Sequence, residues 1–125
     1  MAENEIATII VDACYKVHTT LGPGLLESVY ESILAHECEK RGLKVVRQQA
    51  ILLLYEGLRF DEGFRADLVV DGKVIIELKS VEKVAAVHKK QLLTYLRLTN
   101  MKLGLLINFG ENLIKDGITR VANGM

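Results

Sequence analysis

Residues Phe64–Ser80, FRADLVVDGKVIIELKS, read as two strands rich in Val, Ile and Leu joined at Asp71-Gly72. That dipeptide favours a tight hairpin. Strands apolar on both faces belong inside a covered sheet. Yet three charges interrupt this pair: Asp67 on the first strand, Glu77 and Lys79 on the second. Side chains alternate along a strand, so Glu77 and Lys79 point the same way. Asp67 joins them only if the loop has an odd number of residues. A two-residue loop, Asp71-Gly72, sets Asp67 opposite Ile76 and turns it away. A three-residue loop, Val70-Asp71-Gly72, pairs Val69 with Lys73 and sets Asp67 opposite Ile75. That gathers Asp67, Ile75, Glu77 and Lys79 on one face. The odd loop, or an equivalent bulge, is the expectation. Two carboxylates and an ammonium buried in an apolar sheet are costly unless something offsets them, and a divalent cation would. The plain alternative is an ion-paired strand, Glu77 with Lys79.

The chain around this hairpin has 125 residues, 50% hydrophobic, with one Pro and ten Gly. That suffices for one domain with one core. No apolar run is long enough to cross a membrane and no charged-then-apolar leader opens the chain, so a cytoplasmic location is expected. Cys14 and Cys38 lack CxxC spacing and read as reduced, buried thiols. Acidic and basic residues balance at 16 each, which argues against a tight, sequence-independent grip on duplex nucleic acid. The charge is nevertheless segregated. Residues 1–39 hold seven acids and one base, a net −6, while residues 79–102 hold six bases and only Glu82, a net +5. The basic segment permits a phosphate-bearing ligand beside the hairpin.

Apolar spacing predicts an amphipathic helix over Glu5–Thr20, with Ile6, Ile9, Ile10, Ala13, Val17 and Leu21 inward and His18 at the surface. Gly22-Pro23-Gly24 opens a second helix that runs to about Arg41 and stops at Gly42. Its inward stripe is Leu26, Val29, Tyr30, Ile33 and Leu34. Glu27, on the flank of that stripe, and Glu37, nearer its centre, compete as the helix's contribution to a site. A carboxylate at Glu27 is also favoured simply by the helix dipole. A first strand follows over Lys44–Tyr55, a turn at Glu56-Gly57, and a bulge near Asp61-Glu62-Gly63. Val84–Thr99 reads as a third helix with Val84, Val87, Leu92 and Leu98 inward. Gln91 and Tyr95 are neighbours near the middle of that stripe, and a buried Gln needs a partner. Leu103–Phe109 is a further strand, and Ile118–Val121 a short edge strand. Helix, helix, three strands, helix, strand implies a mixed α/β sheet flanked by helices.

An acid on a core helix, Asp67 on one strand and Glu77-Leu78-Lys79 on the next resemble the PD-(D/E)xK phosphodiesterase superfamily. The likeness is most specific to its GxxExxY family, through Gly24-Leu25-Leu26-Glu27-Ser28-Val29-Tyr30. It continues in Phe64-Arg65-Ala66-Asp67, Ile76–Lys79, Gln91–Leu96 and Leu106–Gly110. Ala66 stands where the superfamily name has Pro. The resemblance implies an αβββαβ core with one extra N-terminal helix, and metal-dependent phosphodiester hydrolysis in DNA or RNA. It implies that Asp67, Glu77 and the carbonyl of Leu78 bind Mg²⁺ or Mn²⁺, with Glu27 reaching the ion through water. Lys79 would handle the attacking water or the developing charge, and Gln91 would steady the site. The alternative is a binding or assembly module that keeps the fold without catalysis. So small a domain would embrace a duplex as a homodimer.

Overall fold

The computed structural model describes residues 1–125. The elements are α1 (Glu3–Leu21), α2 (Glu27–Lys40), β1 (Val45–Tyr55), β2 (Leu58–Val70), β3 (Val74–Lys79), α3 (Ala86–Thr99), β4 (Leu103–Asn108), α4 (Ile114–Gly117) and β5 (Ile118–Ala122). The five strands form one sheet in chain order. Neighbours run antiparallel except β3 and β4, which are parallel and joined by the crossover α3. This is the mixed, helix-flanked sheet expected from the sequence, with α1 added before the αβββαβ core and the short edge strand β5 after it.

The two sheet faces are covered unequally. Ile6, Ile10, Ala13 and Val17 of α1 and Tyr30, Leu34 and Cys38 of α2 pack on Leu68, Val70, Val74, Ile76 and Leu78. Each Leu, Ile or Val among them contributes roughly 1.5–3 kcal/mol when fully buried. On the other face Leu92 and Leu96 of α3 cover Phe64, Ala66, Val69, Ile75 and Leu106. Cys14 and Cys38 are buried free thiols, as expected. Burial pushes both thiols up, Cys38 to about 12, so neither is reactive.

Several inward stripes are narrower than their spacing suggested. α2 begins at Glu27, not at Pro23, because Gly22 and Gly24 hold positive φ and keep the connector out of the helix. Leu26 is therefore 73% exposed, and Val29 is exposed too. The seam runs instead through Tyr30, Leu34 and Cys38. Tyr30 pins it: its hydroxyl donates to the Gly22 carbonyl at 2.5 Å and accepts from the Leu25 N–H at 3.2 Å. The predicted stop is correct. Gly42, at φ +87°, lets its own N–H and that of Leu43 reach the carbonyls of Glu39 and Cys38. On α3 the inward pair is Leu92 and Leu96, while Val87, Leu98 and Gln91 are exposed. Leu21 is exposed as well. His18 is not a surface residue: it is buried, stacks on Phe109, and its Nε2 donates to the Glu111 carbonyl at 2.8 Å.

The hairpin loop is odd, but one residue later than expected. Asp71 and Gly72 take φ +52° and +64°, Lys73 N–H returns to the Val70 carbonyl, and Val70 pairs with Val74. The loop is Asp71-Gly72-Lys73. Asp71 and Gly72 take the left-handed positions, which an aspartate tolerates, so Val70 stays in the strand and Lys73 enters the loop. Its carboxylate then clamps the Lys44 N–H at 2.7 Å. The expected bulge is present: Asp61-Glu62-Gly63 lie where β1 spends only Leu52 between Ile51 and Leu53.

Candidate active site

The β2–β3 ladder ends at Leu68 with Ile76, so the next step sets Asp67 opposite Glu77. Beyond that point Glu77, Leu78 and Lys79 stay paired with Leu106, Ile107 and Asn108 of β4 while β2 departs. A wedge opens between the strands. Asp67 fills it: its Oδ2 accepts the Leu78 N–H at 2.8 Å, a hydrogen bond that a strand carbonyl would ordinarily take. The Asp67 N–H in turn approaches Glu77 Oε1 at 3.4 Å.

Asp67 also marks a break in alternation along β2. Phe64 and Ala66 pack toward α3, yet Leu68 and Val70 pack toward α1 and α2. The switch lies at Asp67, whose carboxylate consequently points along the sheet into the wedge. The acids thus meet across the splay rather than by sharing one flat face with Ile75. Glu77 follows the parity of Ile75 and Lys79, toward α3.

The remaining expected residues divide between the two sides of the sheet. Glu27, the first residue of α2, is exposed and lines a cleft of about 270 Å³ with Ser28, Glu31, Gln48, Asp67 and Leu78. Gln91 lies on the α3 side, exposed and one helical turn before Tyr95. Burial, then the charges of Glu77 and Asp67, push the Tyr95 hydroxyl up, and its ring stacks on Phe64 at 3.8 Å. Glu27 and Gln91 therefore do not approach a common face, and the cleft at Asp67 opens on the Glu27 side. Gln91 is exposed, so its amide needs no buried partner. Glu37, the rival to Glu27, is buried in an ion-pair cluster with Lys16, Lys40 and Arg41 and does not line this cleft. The hydrogen bond from Lys16, with Lys40 beside it, pulls the Glu37 carboxyl down to about 2. A larger open cleft of about 540 Å³ lies at the turn end of the hairpin, lined by Lys44, Asp71 and Lys73 among others, and brings no two acids together.

Burial first, then the Asp67 charge and a hydrogen bond shared with Asp67, push the Glu77 carboxyl up to about 8. Lys79 pulls the other way, and none of the chain's ion pairs includes it. Two carboxylates in contact make a hard, anionic donor pair that lacks a counter-ion. No group of three or more His, Cys, Asp or Glu side chains is gathered that could hold a metal ion. Two acids plus carbonyl and water suit Mg²⁺ or Mn²⁺, since Mg²⁺ keeps several waters and needs only one or two carboxylates. The donor set fits such an ion.

Gln48 and Glu31 were not foreseen as site residues. The only sequence signals were Glu31's position four after Glu27 on the same helix and the polar pair Gln48-Gln49 inside an apolar strand. Neither says that these residues meet Asp67.

A strand pair split around two acids, with a lysine two residues along and a helix presenting a third acid, has the layout of a nuclease-type phosphodiesterase. Over residues 4–121 the chain matches the family model of the PD-(D/E)XK nuclease superfamily, and it belongs to that superfamily. No curated protein and no solved structure matches it. No helix is long and apolar enough to cross a membrane.

Proposed function

We propose that the protein hydrolyses phosphodiester bonds in nucleic acid, using Mg²⁺ or Mn²⁺ held by Asp67, Glu77 and the carbonyl of Leu78. Glu27 reaches the ion through water. One observation carries this reading: two acids are pressed together where β2 and β3 part, at the cost of a Glu77 carboxyl raised to about 8. A cation bound there polarises a phosphoryl oxygen and lowers the pKa of water. Lys79 shares the parity of Glu77 and is engaged by no carboxylate, so its ammonium is free to orient the attacking water or to meet charge developing on phosphorus. Gln91 would steady the site from α3. Within the superfamily, Gly24-Leu25-Leu26-Glu27-Ser28-Val29-Tyr30 supports the GxxExxY family, with Glu27 at the cleft and Tyr30 tying the glycine connector to the helix. Isothermal calorimetry should detect Mn²⁺ binding that Asp67→Ala abolishes, and a screen of DNA and RNA substrates with Mn²⁺ should reveal cleavage. A protein that binds no Mn²⁺ and cuts nothing would be a non-catalytic module on this fold.

A homodimer fits the same reading, and the surface to carry it is the β1–β2 arm. β1 is an open sheet edge, and Leu54, Tyr55, Leu58 and Phe60 at the arm's tip are 64, 62, 58 and 48% exposed. The charges there pair internally, Arg59 with Asp61 and Arg65 with Glu62, so they oppose no second copy. The exposed side chains offer on the order of 400 Å² per copy, and pairing of the edges would bring that toward the ~800 Å² of a standard interface. Leu54→Lys combined with Leu58→Lys is expected to convert a dimer to a monomer in analytical ultracentrifugation. A wild-type protein that sediments as a monomer at high concentration removes the dimer.

A further inference from the structure

Gln48 is the one residue of β1 with a positive φ, +50°, a conformation uncommon for a side chain without special support. It interrupts the ladder: Arg47 pairs with Leu68 and Gln49 with Ala66, leaving Gln48 and Asp67 unpaired between them. Backbone of this kind persists only where the surroundings hold it, and it concentrates at functional sites.

Those surroundings are explicit. The Gln48 carbonyl, turned out of the ladder, accepts from Arg65 Nη1 at 2.8 Å, and Arg65 is clamped by both oxygens of Glu62 at 2.7 Å. The side-chain amide of Gln48 donates to Glu31 Oε1 and, at 3.4 Å, to Asp67 Oδ1. Glu31 is buried, and its other oxygen accepts from Arg47 Nε at 3.1 Å and ion-pairs with Nη2 of the same guanidinium at 3.1 Å. Of the two ends of an amide, only the nitrogen can face two carboxylates, so the orientation of Gln48 is set by its partners.

We propose that Gln48, oriented by Glu31, is a positioning residue that turns the Asp67 carboxylate into the sheet plane and holds it beside Glu77, ready for a cation. The cation clause rests on the phosphodiesterase reading; the placement of Asp67 does not. The left-handed backbone at Gln48 and the break in alternation at Asp67, opposite each other in an unshifted register, are then one device. Arg65 caps the carbonyl that this conformation frees, and Arg47 and Glu31 aim the side chain.

The test uses Gln48→Gly and Glu31→Gln. Glycine accepts the positive φ without strain, so Gln48→Gly removes the amide alone and is expected to melt within a few degrees of wild type. In the metal-free protein, hydrogen exchange at the Leu78 amide, which Asp67 Oδ2 protects, is expected to run about tenfold faster in both variants. Exchange at Ile76, one step further along the same edge, should not change. Mn²⁺ affinity by calorimetry should fall roughly 10–100-fold, as for lost partners of metal ligands. Wild-type exchange at Leu78 in both variants overturns the proposal. If the wild-type protein binds no Mn²⁺, the phosphodiesterase reading fails, while Leu78 exchange still decides whether Gln48 places Asp67.

Discussion

Lys79→Ala is expected to lower Mn²⁺-dependent cleavage by roughly 10³-fold or more while leaving the fold and Mn²⁺ affinity near wild type. The reason is positional. Lys79 sits two residues beyond Glu77 on the same side of β3, at the open end of the wedge, and no carboxylate neutralises it. Asp67→Ala and Glu77→Ala should give an equal loss by a different route, since each removes a carboxylate of the proposed metal site and so Mn²⁺ affinity as well. The contrast separates catalysis from binding: the lysine variant keeps the heat of Mn²⁺ binding and loses turnover, whereas the acid variants lose both. Single-turnover cleavage and calorimetry on the same preparations would read it. If Lys79→Ala cleaves at the wild-type rate, the lysine is packing, and the proposed division of labour is wrong.

Glu77→Gln is expected to stabilise the metal-free protein at pH 8. The Glu77 carboxyl is raised to about 8 by burial and by Asp67, from an ordinary value of 4.5. Between those values the folded protein holds a proton that the unfolded chain has released. Stability therefore falls as pH rises from about 4.5 to 8 and levels off above. A gap of this size sets a ceiling of roughly 5 kcal/mol. Water reaching a half-buried carboxylate reduces the expectation to about 2–3 kcal/mol, or on the order of 10 °C in melting temperature. The glutamine variant, neutral at every pH, should lose this dependence and match the wild type near pH 4. Mn²⁺ should reverse the order at pH 8, stabilising the wild type and not the variant. Binding must also displace the Glu77 proton, so affinity should strengthen up to about pH 8. Thermal melts at pH 4, 6 and 8, with and without Mn²⁺, are sufficient. Identical pH profiles for wild type and variant would show that Asp67 and Glu77 do not share a site.

The local signals were sound wherever a single residue type decides backbone shape. Gly42 stops α2 and Asp71-Gly72 turns the hairpin because few other residues tolerate their left-handed conformations, while the bulge at Asp61-Glu62-Gly63 has a glycine where a Cβ would meet Leu53 at 2.5 Å. Periodicity located the helices but overstated their buried faces. Leu26 and Leu98 fall on the inward stripes by spacing, yet both face water, Leu26 because the helix starts only at Glu27. His18 was misplaced for the complementary reason. Its partner, the Glu111 carbonyl, lies 93 residues away and leaves no trace nearby in the sequence.

The sequence by itself determined the order of elements, a turn at Asp71-Gly72, and the presence of Asp67, Glu77 and Lys79 on paired strands, because these follow from turn chemistry and from a two-residue repeat. The tertiary structure alone decided that β2 leaves β3 at Asp67, that Glu27 and Gln91 approach from opposite sides, and that Gln48 and Glu31 stand behind the acid. Those outcomes depend on a left-handed residue in β1 and on the ion pairs around it. Contacts between elements distant along the chain are set by packing in three dimensions, which no local pattern encodes.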